Sequence, residues 1–100
     1  MRRAARTDAN HGEIVSALRK AGARVQSLAA VGGGVPDLLV GIRSDLYLLE
    51  CKDGSKPPSA RGLTDEQKLW HAAWSGSPVY VVKCVDEALQ AVGATRGTSK

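Results

Sequence analysis

Apolar residues recur at intervals of three and four in residues 10–21, which is the spacing of one face of an α-helix. Arg19 and Lys20 fall on the opposite side, and Gly22 stands where the pattern stops. A first amphipathic helix is therefore predicted. Its buried face would carry Ile14, Ala17, Leu18 and Ala21.

Short apolar segments separated by turn residues predict three strands after this helix. Residues 24–31 alternate loosely and run into three consecutive glycines, which allow a sharp reversal. The second strand starts at Val35 or Pro36 and continues through residues 38–40, and the third covers residues 46–49. Both are continuously apolar, so we expect both to be buried on two faces. Residues 41–45 between them have the length and composition of a hairpin connection.

The second half of the chain predicts a further helix at residues 64–76, a strand at 78–82 and a last helix at 86–92. The loop before the helix at residues 64–76 covers residues 53–62. It is rich in glycine, proline, serine and basic residues and should be exposed. The two tryptophans of the second helix stand four positions apart, which favours packing in the core over stacking on nucleic-acid bases. The apolar side of that helix consists of Leu69, Trp70, Ala73 and Trp74.

The predicted elements follow the order helix, three strands, helix, strand and helix. The helix between the third and fourth strands permits a parallel crossover, whereas the hairpin joins antiparallel neighbours. This order predicts an α/β fold with a mixed central sheet flanked by helices. A chain of 100 residues has room for one domain, predicted at residues 10–93 between a flexible basic arm (1–9) and a flexible tail (94–100).

Two acids and a lysine stand at the ends of the second and third strands. Asp37 precedes one apolar run, and Glu50 and Lys52 follow the other, two positions apart and so on the same face of their strand. Two carboxylates from adjacent strands can hold a hard cation such as Mg²⁺, to which the Cys51 backbone carbonyl could add a third oxygen. Such a cation activates water, and Lys52 could orient that water, help remove its proton or contact the scissile phosphate. The pattern predicts metal-dependent phosphodiester hydrolysis.

Charge and cysteine content indicate the kind of partner and the cellular compartment of the protein. The net charge of +4 favours an acidic partner such as nucleic acid, although part of it lies in the predicted arm and tail. Cys51 and Cys84 make neither a disulfide framework nor a paired metal-ligand spacing, which suits a reducing compartment. The Cys51 side chain is expected to face away from Glu50 and Lys52 and to be buried. No segment resembles a membrane span or a secretory leader, so a cytoplasmic protein without membrane contact is predicted.

The residues around the two acids resemble the PD-(D/E)XK nuclease signature, with Pro36-Asp37 followed by Glu50-Cys51-Lys52. A longer part of the chain resembles the stand-alone VRR-NUC (virus-type replication-repair nuclease) domain. The segments that carry this likeness are the helix around Glu13 and residues 33–38, 49–54, 63–67 and 79–82.

The resemblance implies a restriction-endonuclease-like α-β-β-β-α-β core, dependence on Mg²⁺ with Mn²⁺ as a substitute, and no organic cofactor. It also implies cleavage of DNA that leaves a 5′-phosphate, a homodimer similar to archaeal Holliday junction resolvases, and a bacterial or phage-encoded context. By their matching positions in the motifs, the resemblance assigns the family's active-site roles to Glu13, Asp37, Glu50, Lys52 and Gln67. Glu13 would bind the metal directly or orient a metal-bound water, and Gln67 would orient Lys52 or the substrate.

Some of these residues have a structural alternative. Asn10 with Glu13, and Thr64 with Gln67, also fit reciprocal helix caps. Five basic side chains could contact DNA phosphates without reading bases, with solvated surface charge as the alternative. They are Lys56, Arg61, Arg19, Lys20 and Arg24.

The leading hypothesis is a Mg²⁺-dependent DNA endonuclease that selects Holliday junctions or other branched DNA by shape, because no base-reading module is recognisable. The alternatives are a nicking, flap or end-processing nuclease with the same site, and a catalytically silent DNA-binding module. His11 and His71 lack partners at ligand spacing and are predicted to be surface or hydrogen-bonded histidines rather than zinc ligands.

Overall fold

The computed structural model describes residues 9–94, so all but the innermost residue of the predicted arm and of the predicted tail lies outside the described residues. Within residues 9–94, no helix has the length and apolar character needed to cross a membrane. The elements follow the predicted order. They are α1 (His11–Lys20), β1 (Arg24–Ser27), β2 (Leu38–Ile42), β3 (Asp45–Cys51), α2 (Asp65–Ala73), β4 (Val79–Val82) and α3 (Val85–Ala91).

The four strands form one mixed sheet in the order β1-β2-β3-β4. The first three are antiparallel neighbours, and β4 lies parallel to β3 after the crossover through α2. Arg43 and Ser44 join β2 to β3, and both have positive φ angles (49° and 68°), as the tightest hairpin turns require. The structure confirms an α/β fold with a mixed sheet.

One face of the sheet carries the main core, under α1 and α3, which contact each other. Alternate residues of a strand point to the same face, so β2 and β3 each contribute every second side chain. On α1, Ile14 and Leu18 are fully buried as predicted and Ala17 is half-buried. The prediction was wrong for Ala21, which is exposed because the helix ends at Lys20. The strand residues of this core are Val25, Leu38, Val40, Ile42, Leu49, Cys51 and Val82.

Several strand predictions differ from the structure. β2 begins at Leu38 instead of Val35 or Pro36, because the chain still turns there and the Val35 N–H donates to the Gly32 carbonyl (3.3 Å). β1 ends at Ser27 instead of residue 31, because the Ser27 hydroxyl accepts a hydrogen bond from the Ala29 N–H and the chain turns there. The expectation that the third strand is buried on two faces holds only for its second half. Leu46 is 53% exposed because it lies beside the hairpin, on the face that α1 and α3 do not cover.

The prediction of α2 was wrong in its end point and in its packing. The helix ends at Ala73 instead of Gly76 and contains no buried residue. Leu69 is 73% exposed, and Trp74 is exposed and stacks on Trp70 with ring centroids 4.9 Å apart instead of entering the core. The physical reason is that polar side chains of α2 occupy the positions facing the sheet.

Candidate functional site

Glu50 and Lys52 lie at the end of β3 with their side chains on the face toward α2. Their relative exposures are only 1% and 9%, which is unusual for charged residues. The Lys52 N–H donates to the Val82 carbonyl (2.9 Å), so the backbone stays fixed against β4 beyond the last strand residue. The acid and the lysine predicted from the sequence therefore share one buried environment.

Gln67 of α2 connects these two side chains. Its Nε2 donates to Glu50 Oε2 (3.0 Å), and its Oε1 accepts from Lys52 Nζ (2.9 Å). The same residue also forms a capping box, because Thr64 Oγ1 accepts from the Gln67 N–H (3.1 Å) and Gln67 Oε1 accepts from the Thr64 N–H (2.9 Å). The predicted cap is present, and the same Gln67 side chain also contacts Glu50 and Lys52.

His71 stands one helical turn after Gln67 and faces the same carboxyl group. Its Nε2 lies 3.5 Å from Glu50 Oε1 and has no hydrogen-bond partner among the described residues. Burial of the ring and, second, the charge of Lys52 lower the pKa of His71 below 6.5. The sequence analysis missed this residue, although the spacing of four from Gln67 places both on one side of the helix.

Asp37 immediately precedes β2, and its backbone remains paired with β1 because the Leu28 N–H donates to the Asp37 carbonyl (2.7 Å). Leu38 pairs with Leu49, so the same register carried one residue further sets Asp37 opposite Glu50. Its carboxylate Oδ2 accepts a hydrogen bond from the Cys51 N–H (2.8 Å). Asp37 is thus fastened to the strand that carries Glu50 and Lys52.

The glycine-rich loop before β2 determines how closely α2 approaches. Gly32, Gly33 and Gly34 all have positive φ, in accord with the predicted reversal. At Gly34 (φ +86°) a Cβ would point directly into the Glu66 carbonyl at the start of α2. Only glycine tolerates both the positive φ angle and the lack of room for a Cβ at this position. The close approach of the loop positions the first turn of α2, so that Gln67 reaches Glu50 and Lys52.

Glu13 is exposed and lines a separate cleft. Asp37, Glu50, Lys52 and Gln67 are not among the residues that line this cleft. The capping alternative for Asn10 is wrong, because its side chain makes no cap bond. Instead, Asn10 Nδ2 donates to the carbonyls of Lys52 (3.1 Å) and Lys83 (3.0 Å), fastening α1 to the ends of β3 and β4. The other residues lining the cleft include Asp53, Arg61 and Glu87.

Two of the basic residues predicted for DNA contact also have structural bonds. Arg61 Nη1 donates to the carbonyls of Gly54 (2.8 Å) and Lys56 (3.1 Å), which closes the loop after β3, and Arg19 Nη2 donates to the Val25 carbonyl (3.2 Å). Within that loop, the hydroxyl and N–H of Ser55 donate to Asp53 and lower the pKa of its carboxyl group. Lys20, Arg24 and Lys56 are exposed.

The oxygen donors suit a hard divalent ion. Asp37, Glu50 and the Cys51 backbone carbonyl would be the ligands, and carboxylate and carbonyl oxygens are what Mg²⁺ binds in proteins. A carboxylate as buried as Glu50 is costly unless hydrogen bonds and opposite charge compensate it. The neutral Gln67 amide supplies one such hydrogen bond, and a divalent cation would supply charge.

A second group of possible ligands, not apparent from sequence spacing, lies at the end of β3. Cys51 is 3% exposed and points away from Glu50 and Lys52, as predicted. One ligand atom each from His11, Asp37 and Cys51 lies within 4.8 Å of the others. His11 therefore has neighbours in space that its sequence spacing did not reveal. No family model, curated protein or solved structure matches this chain.

Proposed function

We propose that the protein is a Mg²⁺-dependent DNA endonuclease with a restriction-endonuclease-like core of the PD-(D/E)XK type, related to VRR-NUC domains. The observation that carries the proposal is the buried pair Glu50 and Lys52, joined through the Gln67 amide, with Asp37 at the facing position of the neighbouring strand. The donor types and the order of these residues along the chain support the same conclusion.

Each residue has a distinct task in this proposal. Asp37, Glu50 and the Cys51 carbonyl would hold Mg²⁺, which would supply an activated water and offset negative charge on the phosphate. The Lys52 ammonium group would face the scissile phosphate, where it would transfer a proton or stabilise developing charge. Gln67 keeps the Lys52 Nζ in place through a hydrogen bond that needs no metal. Glu13 lines the separate cleft, so the proposal assigns it no task at this site.

The substrate of the proposed enzyme is DNA recognised by shape, with branched DNA such as a Holliday junction as the leading choice. The net charge of +4 supports an anionic partner, and the exposed Lys56 lies in the loop that follows Lys52. A homodimer would provide two sites for two strands. The exposed apolar side chains of Leu69 in α2 and of Trp74 directly after it support such an interface because they leave apolar area in contact with water.

The deciding experiment incubates the purified full-length protein with labelled four-way junction, flap, nicked, duplex and single-stranded DNA. Each reaction contains Mg²⁺, Mn²⁺ or a chelator, and Lys52→Ala is run beside wild type. Lys68→Ala is the matched control, because Lys68 is exposed and lies on α2 outside the cluster. We expect metal-dependent cutting by wild type and Lys68→Ala only. Binding without cutting in either metal would instead favour the silent DNA-binding module.

A further inference from the structure

His11, Asp37 and Cys51 come from three separate parts of the fold and converge beside the end of β3. One ligand atom from each lies within 4.8 Å of the other two. His11 is the first residue of α1, Asp37 precedes β2, and Cys51 is the last residue of β3. A nitrogen, an oxygen and a sulfur donor are thus collected at one place, beside the end of β3.

Hydrogen bonds outside the cluster hold this arrangement. Asn10 fastens the start of α1 to the carbonyls of Lys52 and Lys83, which fixes the position of His11 over the strand ends. The bond from the Cys51 N–H to Asp37 Oδ2 fixes the carboxylate against the residue that carries the thiol. The three side chains therefore already lie together in the folded protein, without a rearrangement of the backbone.

The burial of the group argues against simple alternatives. His11 Nδ1 is buried and has no hydrogen-bond partner among residues 9–94, although a buried polar nitrogen normally has one. Cys51 is only 3% exposed, which excludes attack on a large substrate, since a nucleophilic thiol must be accessible. Metal coordination uses the imidazole nitrogen, the carboxylate and the thiol together.

We propose that His11, Asp37 and Cys51 form a second metal site, for a borderline transition ion such as Zn²⁺. Imidazole and thiolate are ligands of Zn²⁺ and Co²⁺ and poor ligands of Mg²⁺, and three protein ligands with one water complete a tetrahedral shell. Donor atoms of such a shell lie roughly 3.5 Å apart, given zinc–ligand bonds of about 2.0–2.3 Å. Side-chain rotations close the difference from 4.8 Å. On binding, the Cys51 thiol releases its proton to solvent and coordinates as a thiolate.

The two metal sites share Asp37, which has a consequence that rests on the proposed function. A Zn²⁺ ion held by His11 and Cys51 withdraws the Asp37 carboxylate from Mg²⁺ on the Glu50 side. Zn²⁺ at this site therefore inhibits the proposed nuclease by competing for one ligand, without occupying Glu50 or Lys52. Binding itself does not depend on whether the protein cuts DNA.

The test is a titration of the metal-free, full-length protein with Co²⁺ in a thiol-free reductant, followed by absorption spectroscopy. A thiolate ligand produces an intense near-ultraviolet charge-transfer band, and tetrahedral Co²⁺ produces visible bands that Zn²⁺ then abolishes. We expect both in wild type and in Cys84→Ser, the matched control at an exposed cysteine. Cys51→Ser should lose the charge-transfer band. His11→Gln, at a half-buried position, should weaken Co²⁺ binding by at least about tenfold.

Absence of the charge-transfer band in wild type would overturn the proposal, as would its loss in Cys84→Ser with retention in Cys51→Ser. Retention of the band in Cys84→Ser assigns it to Cys51 even if Cys51→Ser fails to fold, because the chain has only these two cysteines. If DNA cutting is found, the ratio of the Mg²⁺-dependent rates with and without Zn²⁺ should fall in wild type and stay near one in His11→Gln. A protein that cuts no DNA would refute the proposed function and leave the cobalt spectra as the test of this site.

Discussion

The amide nitrogen of Gln67 lies 3.0 Å from Glu50 Oε2 and donates a hydrogen bond to that buried carboxyl group. This contact joins α2 to the sheet, and the same residue forms the capping box with Thr64 that begins the helix. The contact therefore couples the stability of a helix end to the geometry of the proposed site, and the two contributions can be separated by mutation.

Gln67→Ala should lower both stability and activity, whereas Thr64→Ala should lower stability alone. Each variant loses half of the capping box, at a cost of about 1 kcal/mol in the free energy of unfolding. Only Gln67→Ala releases Lys52 and Glu50, and the resulting misplacement should slow DNA cleavage roughly 10- to 100-fold. Urea unfolding and single-turnover cleavage measure the two effects. Equal losses of activity in both variants would contradict a positioning role for Gln67.

Lys52→Met should remove hydrolysis while leaving DNA bound. Loss of a group that handles a proton or stabilises charge in the transition state costs roughly 10²- to 10⁴-fold in rate. Single-turnover rates in Mg²⁺ and DNA binding by fluorescence anisotropy in Ca²⁺ separate the two quantities, with Lys68→Met as the control. A variant that binds DNA poorly but cuts bound DNA at the normal rate would show that Lys52 serves binding only.

Gly34→Ala should destabilise the protein more than Gly33→Ala. Both positions have positive φ, which costs an alanine roughly 1–2 kcal/mol. Space is open around Gly33, whereas a Cβ at Gly34 meets the Glu66 carbonyl, so overpacking should add about 1–3 kcal/mol at Gly34 alone. The difference in unfolding free energy, measured with urea, isolates the contact between the loop and α2. Equal losses of unfolding free energy in the two variants would mean that α2 moves away from the loop without cost.

The pH dependence of stability should reveal the protonation of His71. Burial and Lys52 lower the pKa of His71 in the folded, metal-free protein below its unfolded value near 6.5. Between these two values the unfolded state binds more protons, so stability is fully present above pH 6.5 and falls as the pH decreases through this window. His71→Gln should remove this part of the dependence, measured by urea unfolding from about pH 5 to pH 8. An NMR titration midpoint of His71 above 6.5 would contradict the sign.

Leu69→Glu should convert a dimer into a monomer without unfolding it, because Leu69 is 73% exposed in the single chain. A charge placed in an apolar interface is strongly unfavourable. Ser16→Glu, at an exposed position of α1, makes the same change in net charge and should leave association unaffected. Sedimentation equilibrium of wild type and the two variants measures their association state. A wild type that is monomeric at every concentration would refute the homodimer.

The parts of the fold that follow from local patterns were predictable. Ile14 and Leu18 marked the buried face of α1, and the apolar runs around residues 41–45 marked the hairpin. The same hairpin register placed Asp37 beside Glu50, because antiparallel pairing follows directly from the turn. Trp74 was mispredicted because apolar periodicity indicates a face, but not whether the rest of the chain covers that face.

The contacts between distant segments were not predictable from spacing. His71 faces Glu50 because the crossover lays α2 over the end of β3. His11 reaches Cys51 because Asn10 bonds to two strand ends. A search for ligands at short intervals could not find either residue, since these contacts join distant segments of the chain.

The bonds of Asn10 also bear on how the protein folds. Its amide bridges backbone carbonyls 42 and 73 residues away, so these bonds close only after β4 has added to the sheet. Loop closure must precede such distant contacts, whereas the hairpin of β2 and β3 forms locally and early. We expect a chain that ends before β4, whether truncated or still emerging from the ribosome, to contain the hairpin but lack a fixed His11. Assembly of the proposed His11, Asp37 and Cys51 site is then among the last steps of folding, and an incomplete copy lacks it.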